Sequence, residues 1–207
     1  MVITEVYKDA LEEIFNIGIG QAASLLNEIT ESHISLQVTN LDILSSEEAN
    51  DRLAKHFEAC HLSSVCLDFR GAFSGAIKLI FPVESATELV TYLNDDNRDP
   101  LSISQDWDFL KIGTLTEVGN IILNGVMGPI ANLLNCHISY FIPVYLEGSI
   151  QQLCSSYGIV PHEEILLAQS RFLSEGLQIT GEILLIFHLG SLDALMSAID
   201  QELLIDQ

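Results

Sequence analysis

Apolar and polar positions alternate along this chain in two periods. From Thr4 to Ile29 the residues Val6, Ala10, Ile14, Ile17 and Leu25 recur near helical spacing, which predicts a helix with Thr4 as its N-cap. HISLQVTNLDIL then alternates as a strand, and the charged stretch SSEEANDRLAKHFE (45–58) reads as a loop or short helix. SSVCLDFRG and SGAIKLIFP predict two strands joined by a turn near Gly71. VESATELVTYL reads as a helix and NDDNRDP as a polar break. A second series follows: a helix from Asp106 to Leu134, a strand CHISYFIPVYL, two strands EILLAQSRFL and TGEILLIFHL, and a closing helix SLDALMSAIDQELL. Between Val118 and Leu146 there is no Asp, Glu, Lys or Arg. A membrane span needs about 20 mostly apolar residues. Asn120, Asn124, Pro129, Asn132, Asn135 and His137 interrupt this stretch, so it reads as a buried helix followed by a buried strand.

The two series are related residue by residue. SGAIKLIFPVESATELVTYL aligns with TGEILLIFHLGSLDALMSAI, so that Gly75 falls on Gly181, Phe81 on Phe187, Ser85 on Ser191 and Leu89 on Leu195. The long helices align with Glu13 on Glu117 and Asn16 on Asn120. This is an internal duplication. It predicts one domain over residues 1–207, with halves of about 1–100 and 101–207. The expected fold is α/β: a two-layer arrangement of one β-sheet with packed helices and two pseudo-symmetric halves.

Composition narrows the function. The chain has 207 residues, 48% of them hydrophobic, which excludes a disordered protein. Asp plus Glu number 29 against 8 Lys plus Arg, for a net charge of −21. Such a surface repels phosphate backbones and anionic bilayers, so neither nucleic acid nor a membrane is an expected partner. Cys60, Cys66, Cys136 and Cys154 form no CxxC pair, and the N-terminal MVITEVYKDALEE has no apolar signal region. The expected setting is cytoplasmic, with reduced thiols.

The duplicated polar pattern is Glu-x-x-Asn. Three residues apart on a helix is one face, so Glu13 lies beside Asn16 and Glu117 beside Asn120. Asp9 extends the first face by one turn and Asn124 the second. Composition alone predicts about 0.8 such pairs. Glu47 with Asn50 is a third, outside the repeated helices.

The segments YKDALEEIFNIGIGQAASLLNEIT and LTEVGNIILNGVMGPIANLLN resemble the two signature helices of the CheC phosphatases of bacterial chemotaxis. That family carries D/S-x-x-x-E-x-x-N once per half and acts on the phosphorylated response regulator CheY. Asp9, Glu13 and Asn16 match fully, whereas Gly113 occupies the leading position of the second motif. The single-site relative CheX is less similar, and the flagellar-switch relative FliY is expected to need a further C-terminal module. The resemblance implies a phosphatase of a CheY-like regulator. In it, Asn16 and Asn120 would aim the attacking water, and Glu13 and Glu117 would meet a lysine of the regulator. Asp9, Gly20 and Asn124 would support docking. Magnesium would belong to the regulator, so neither a metal nor a cofactor is expected in this chain. A CheD-type deamidase is a second candidate partner. The alternative is a non-catalytic adaptor of the same fold.

Other motifs point less far. Gly18-Ile19-Gly20-Gln21-Ala22-Ala23 fits G-x-G-x-x-A but lies inside a helical pattern, where a dinucleotide fingerprint needs a preceding strand. Gly18, Gly20, Gly119, Gly125 and Gly128 read as positions of close backbone approach, either of a neighbouring helix or of the inserted regulator, and Pro129 as a kink. Cys60, His61 and Cys66 lack the paired spacing of a zinc site. Trp107 and Cys136 read as packing residues, and His188 as a strand end.

Overall fold

The computed structural model describes residues 5–30, 33–57, 60–71, 74–94, 106–133, 135–156, 164–174, 177–187 and 191–205. Thr4, His188 and most of the polar break after Leu93 lie outside them. The elements run α1 (Glu5–Thr30), β1 (Ser35–Ser45), α2 (Ser46–His56), β2 (Leu62–Gly71), β3 (Gly75–Pro82), α3 (Val83–Leu93) and α4 (Asp106–Leu133). They continue with β4 (Ile138–Tyr140), β5 (Val144–Gly148), α5 (Ile150–Ser156), β6 (Glu164–Ser174), β7 (Leu177–Phe187) and α6 (Ser191–Ile205).

The seven strands form one antiparallel sheet in the order β1-β6-β7-β3-β2-β4, and β5 pairs with β2 beside β4. Each half thus lends its first strand to the other half's hairpin. The hairpins β2–β3 and β6–β7 meet along β3 and β7. Gly75 pairs with Phe187 there, and Lys78 with Leu184, its own repeat partner. A pseudo-two-fold axis through that pair relates the halves. The repeat extends to the short helices. Ser45 and Glu48 form a capping box at the start of α2. Ser149 and Gln152 form the same reciprocal pair before α5, with Ser149 N–H donating to Gln152 Oε1 at 2.8 Å.

The long helices cover one face of the sheet. Leu11, Phe15, Ile19 and Leu26 of α1 and Leu115, Val118, Ile122 and Val126 of α4 pack there with Val65, Leu67, Ile77, Leu79, Ile183 and Leu185. On the opposite face α2 and α5 enclose a smaller core of Leu53, Phe57, Leu62, Ile80, Ile150, Leu153, Leu167 and Leu184. The central strands are therefore apolar on both sides, which explains runs such as GAIKLIF and GEILLIF.

One strand differs from expectation. The predicted 136–146 strand breaks into β4 and β5 at Phe141, Ile142 and Pro143. Pro143 has no N–H to give a ladder, and Phe141 N–H instead donates to Asp68 O at 3.0 Å. Nor is this strand buried: Ile142 is 86% exposed, and Tyr140, Phe141 and Val144 also face out. Among the described residues no helix is long and apolar enough to cross a membrane.

A buried carboxyl lies under α2. Glu182 on β7 is 5% exposed, accepts from Gln169 Nε2 at 3.1 Å and lies 3.6 Å from His56 Nε2. Burial outweighs the Gln169 hydrogen bond and the nearby Arg52 charge, and pushes the carboxyl up from 4.5 to about 7. The folded chain then binds a proton that the unfolded chain releases. Stability is fully present below about pH 4.5 and falls as pH rises to about 7, by about 3 kcal/mol from this group. Denaturation of the Glu182→Gln variant is expected to lose that decline; an unchanged pH profile would assign it elsewhere.

Candidate functional site

Asp9, Glu13, Asn16 and Gly20 follow one another at helical spacing along α1, and all four are exposed. Leu11, Phe15, Ile19 and Ala22, on the opposite side, are buried in the core. Hydrophobic burial therefore sets the rotation of the helix and turns the polar stripe outward. On α4, Gly113 and Glu117 are exposed, while Asn120 and Asn124 are half-buried.

Polar ties seat each helix. Asn27, near the end of α1, accepts from Ile34 N–H at 2.6 Å and donates to Ile34 O at 2.9 Å. Lys8 lies 3.8 Å from Asp42 on β1. On α4 the buried Lys111 pairs with Glu147 on β5, and the Tyr145 hydroxyl donates to the same carboxylate. Burial pushes the Glu147 carboxyl up, but the hydrogen bonds from Lys111 and Tyr145 outweigh it and hold it below its ordinary value.

The helices touch through small residues. A Cβ on Gly18 would lie 2.5 Å from Gly125 O, and one on Gly125 would lie 2.7 Å from Ala22 Cβ. A Cβ on Gly119 would meet Val65 of β2 at 2.6 Å. These three glycines are close-approach positions, as expected. Gly20 and Gly128 approach no neighbouring helix: a side chain at either meets open space within this chain. Gly113 is equally open, so nothing steric demands glycine at the leading position of the second motif.

The two stripes differ in one contact. Asn124 Nδ2 donates to Asn120 O and to Asn120 Oδ1, each at 2.7 Å. Among the described residues nothing hydrogen-bonds the Asn16 side chain. At the position of Asn124, the first stripe has Gly20.

The remaining motifs are structural. Gly18 and Gly20 lie mid-helix in α1 with no strand leading into them. Among the described residues no group of His, Cys, Asp and Glu could hold a metal ion. Burial pushes the Cys66 thiol up to about 12, so it stays protonated and unreactive. Trp107 and the half-buried Cys136 pack against the main core. The Cys154 side chain lies outside the description.

The chain folds as a single antiparallel sheet carrying two pseudo-equivalent helices, each with a Glu–Asn pair, and its similarities in sequence and fold are to CheC and FliY. The chain is 25% identical over 142 residues to the CheY-P phosphatase CheC of Bacillus subtilis (strain 168), a match covering 68% of this chain and 66% of that protein, just under two thirds. Its fold matches the crystal structure of Thermotoga maritima FliY with a TM-score of 0.71 at 16% identity, covering 97% of this chain and 99% of that one. It also matches a chain of the FliG–FliM complex from H. pylori, with a TM-score of 0.60 at 12% identity over 95% of this chain and all of that one. No family model matches the chain. The likenesses to FliY and to the FliG–FliM complex chain span nearly the whole of this chain, so fold alone does not single out one of these relatives.

Proposed function

We propose that this protein hydrolyses the aspartyl phosphate of a CheY-like response regulator. The observation that carries the reading is the recurrence of Glu-x-x-Asn at equivalent positions of two duplicated helices, with Glu13, Asn16 and Glu117 exposed and Asn120 half-buried. The similarity to a CheY-P phosphatase supports it.

In the proposed reaction a water oxygen attacks phosphorus in line, the bond from phosphorus to the aspartyl oxygen breaks, and carboxylate and inorganic phosphate leave. Such transfer is catalysed mainly by positioning and charge stabilisation. Asn16 and Asn120 enter the regulator's site, where an amide offers an acceptor to hold the water and a donor for a phosphoryl oxygen. Glu13 and Glu117 dock on a lysine of the regulator through a charge-assisted hydrogen bond. Asp9 adds a second carboxylate on the first stripe. Magnesium stays with the regulator. The net charge of −21 is no obstacle, because carboxylates are needed only opposite the lysine and the inserted group is neutral.

The test is the half-life of the acyl phosphate on a purified CheY-like receiver with increasing amounts of this chain. A rate rising with its concentration is expected; a rate independent of it would end the reading. The adaptor alternative finds support in the exposed apolar edge Tyr140–Val144, which is suited to protein contact. It predicts receiver binding without faster hydrolysis.

A further inference from the structure

We infer that Asn124 is a positioning residue that holds the Asn120 amide in its working orientation and makes the second site the faster of the two; this rests on the phosphatase reading. Asn120 O is a backbone carbonyl and can only accept, so the Asn124 atom 2.7 Å from it is the amide nitrogen. That nitrogen also lies 2.7 Å from a terminal atom of Asn120, which must then be the oxygen, Oδ1. The contact therefore fixes the flip as well as the rotamer of the Asn120 side chain. One lone pair of Oδ1 is occupied. The other lone pair and both Nδ2 hydrogens remain for a water and a phosphoryl oxygen. The half-buried setting of both residues strengthens the contact. An amide held in place before the receiver arrives loses no rotational freedom on reaching the transition state.

The first site lacks this device. Gly20 has no side chain to offer, and Asn16 is exposed and unrestrained among the described residues. What the first stripe has instead is Asp9, where the second has Gly113. The duplicated sites have thus diverged: the first keeps the extra docking carboxylate, and the second keeps the oriented amide.

The experiment compares kcat and KM for receiver dephosphorylation with one site silenced. In an Asn16→Ala background, Asn124→Ala is expected to lower kcat about tenfold with KM unchanged. Asn124→Asp should do the same, because a carboxylate cannot donate to Oδ1. In an Asn120→Ala background, Gly20→Asn is expected to raise kcat several-fold, since a side chain at Gly20 meets nothing within 4 Å; misfolding cannot imitate that gain. A KM rise with kcat unchanged in Asn124→Ala would overturn the positioning role in favour of direct docking. Side-chain amide relaxation by NMR provides a readout independent of activity. Asn120 should be more rigid than Asn16 and should lose that rigidity in Asn124→Ala. Equal mobility would overturn the inference. A wild-type chain that leaves the phosphate untouched while Asn120 stays rigid would overturn the phosphatase reading alone.

Discussion

Replacing Asn16 and Asn120 together by alanine is expected to return receiver phosphate loss to its spontaneous rate, a fall of at least about a hundredfold. Asn124, the other amide of the second stripe, lies one helical turn beyond Asn120, and the remaining polar side chains of both stripes are carboxylates. Glu13 and Glu117 are carboxylates and would repel the phosphoryl oxygens. The fold should survive. Asn16 is exposed, where substitutions usually shift stability by less than about 0.5 kcal/mol. Asn120 gives up one side-chain hydrogen bond, worth about 1 kcal/mol, and alanine recovers part of that through helix propensity. Denaturation curves taken beside the rates separate lost chemistry from lost structure. Full residual activity in the double variant would remove the amides from the mechanism.

The second large effect is structural and should depend on position within one helix. Gly18→Ala places a Cβ 2.5 Å from Gly125 O and 2.8 Å from Val126 Cα, both backbone atoms that no rotamer change can move. α1 and α4 must separate, loosening the core beneath both stripes. Overpacking of this kind costs about 1–3 kcal/mol or more, against a gain of about 1 kcal/mol from replacing a helical glycine. Gly20→Ala, two residues further on in the same helix, meets open space and should stabilise by up to about 1 kcal/mol. Chemical denaturation of the two variants should move in opposite directions. Equal shifts would mean that the helices do not cross at Gly18.

Much of this architecture is legible in the residues, for identifiable reasons. VESATELVTYL and α3 coincide because Pro82 and Asn94 bound an amphipathic turn pattern. The hairpin strands are legible because each run is long and apolar. The stretch after Leu44 is ambiguous by periodicity, yet the Ser45-x-x-Glu48 capping box marks it as a helix. CHISYFIPVYL misleads because its apolar composition suggests burial, whereas Pro143 breaks the ladder and the segment lies at a sheet edge. The outward direction of Glu13 and Asn16 follows from Leu11, Phe15 and Ile19 claiming the opposite side. The Asn120–Asn124 spacing is visible in sequence, but spacing alone does not say whether Asn124 faces a partner or turns onto its neighbour. That choice depends on side-chain rotamers, which the tertiary packing around α4 sets.

The most direct measurement is the structure of this chain bound to a CheY-like receiver carrying beryllofluoride and magnesium as the acyl-phosphate mimic. The Asn120 or Asn16 amide is expected within hydrogen-bond distance, about 3 Å, of the mimic or of a water in line with it. The neighbouring Glu117 or Glu13 is expected on a receiver lysine. A receiver docked on the Tyr140–Val144 edge, with both amides left in solvent, would contradict the phosphatase reading.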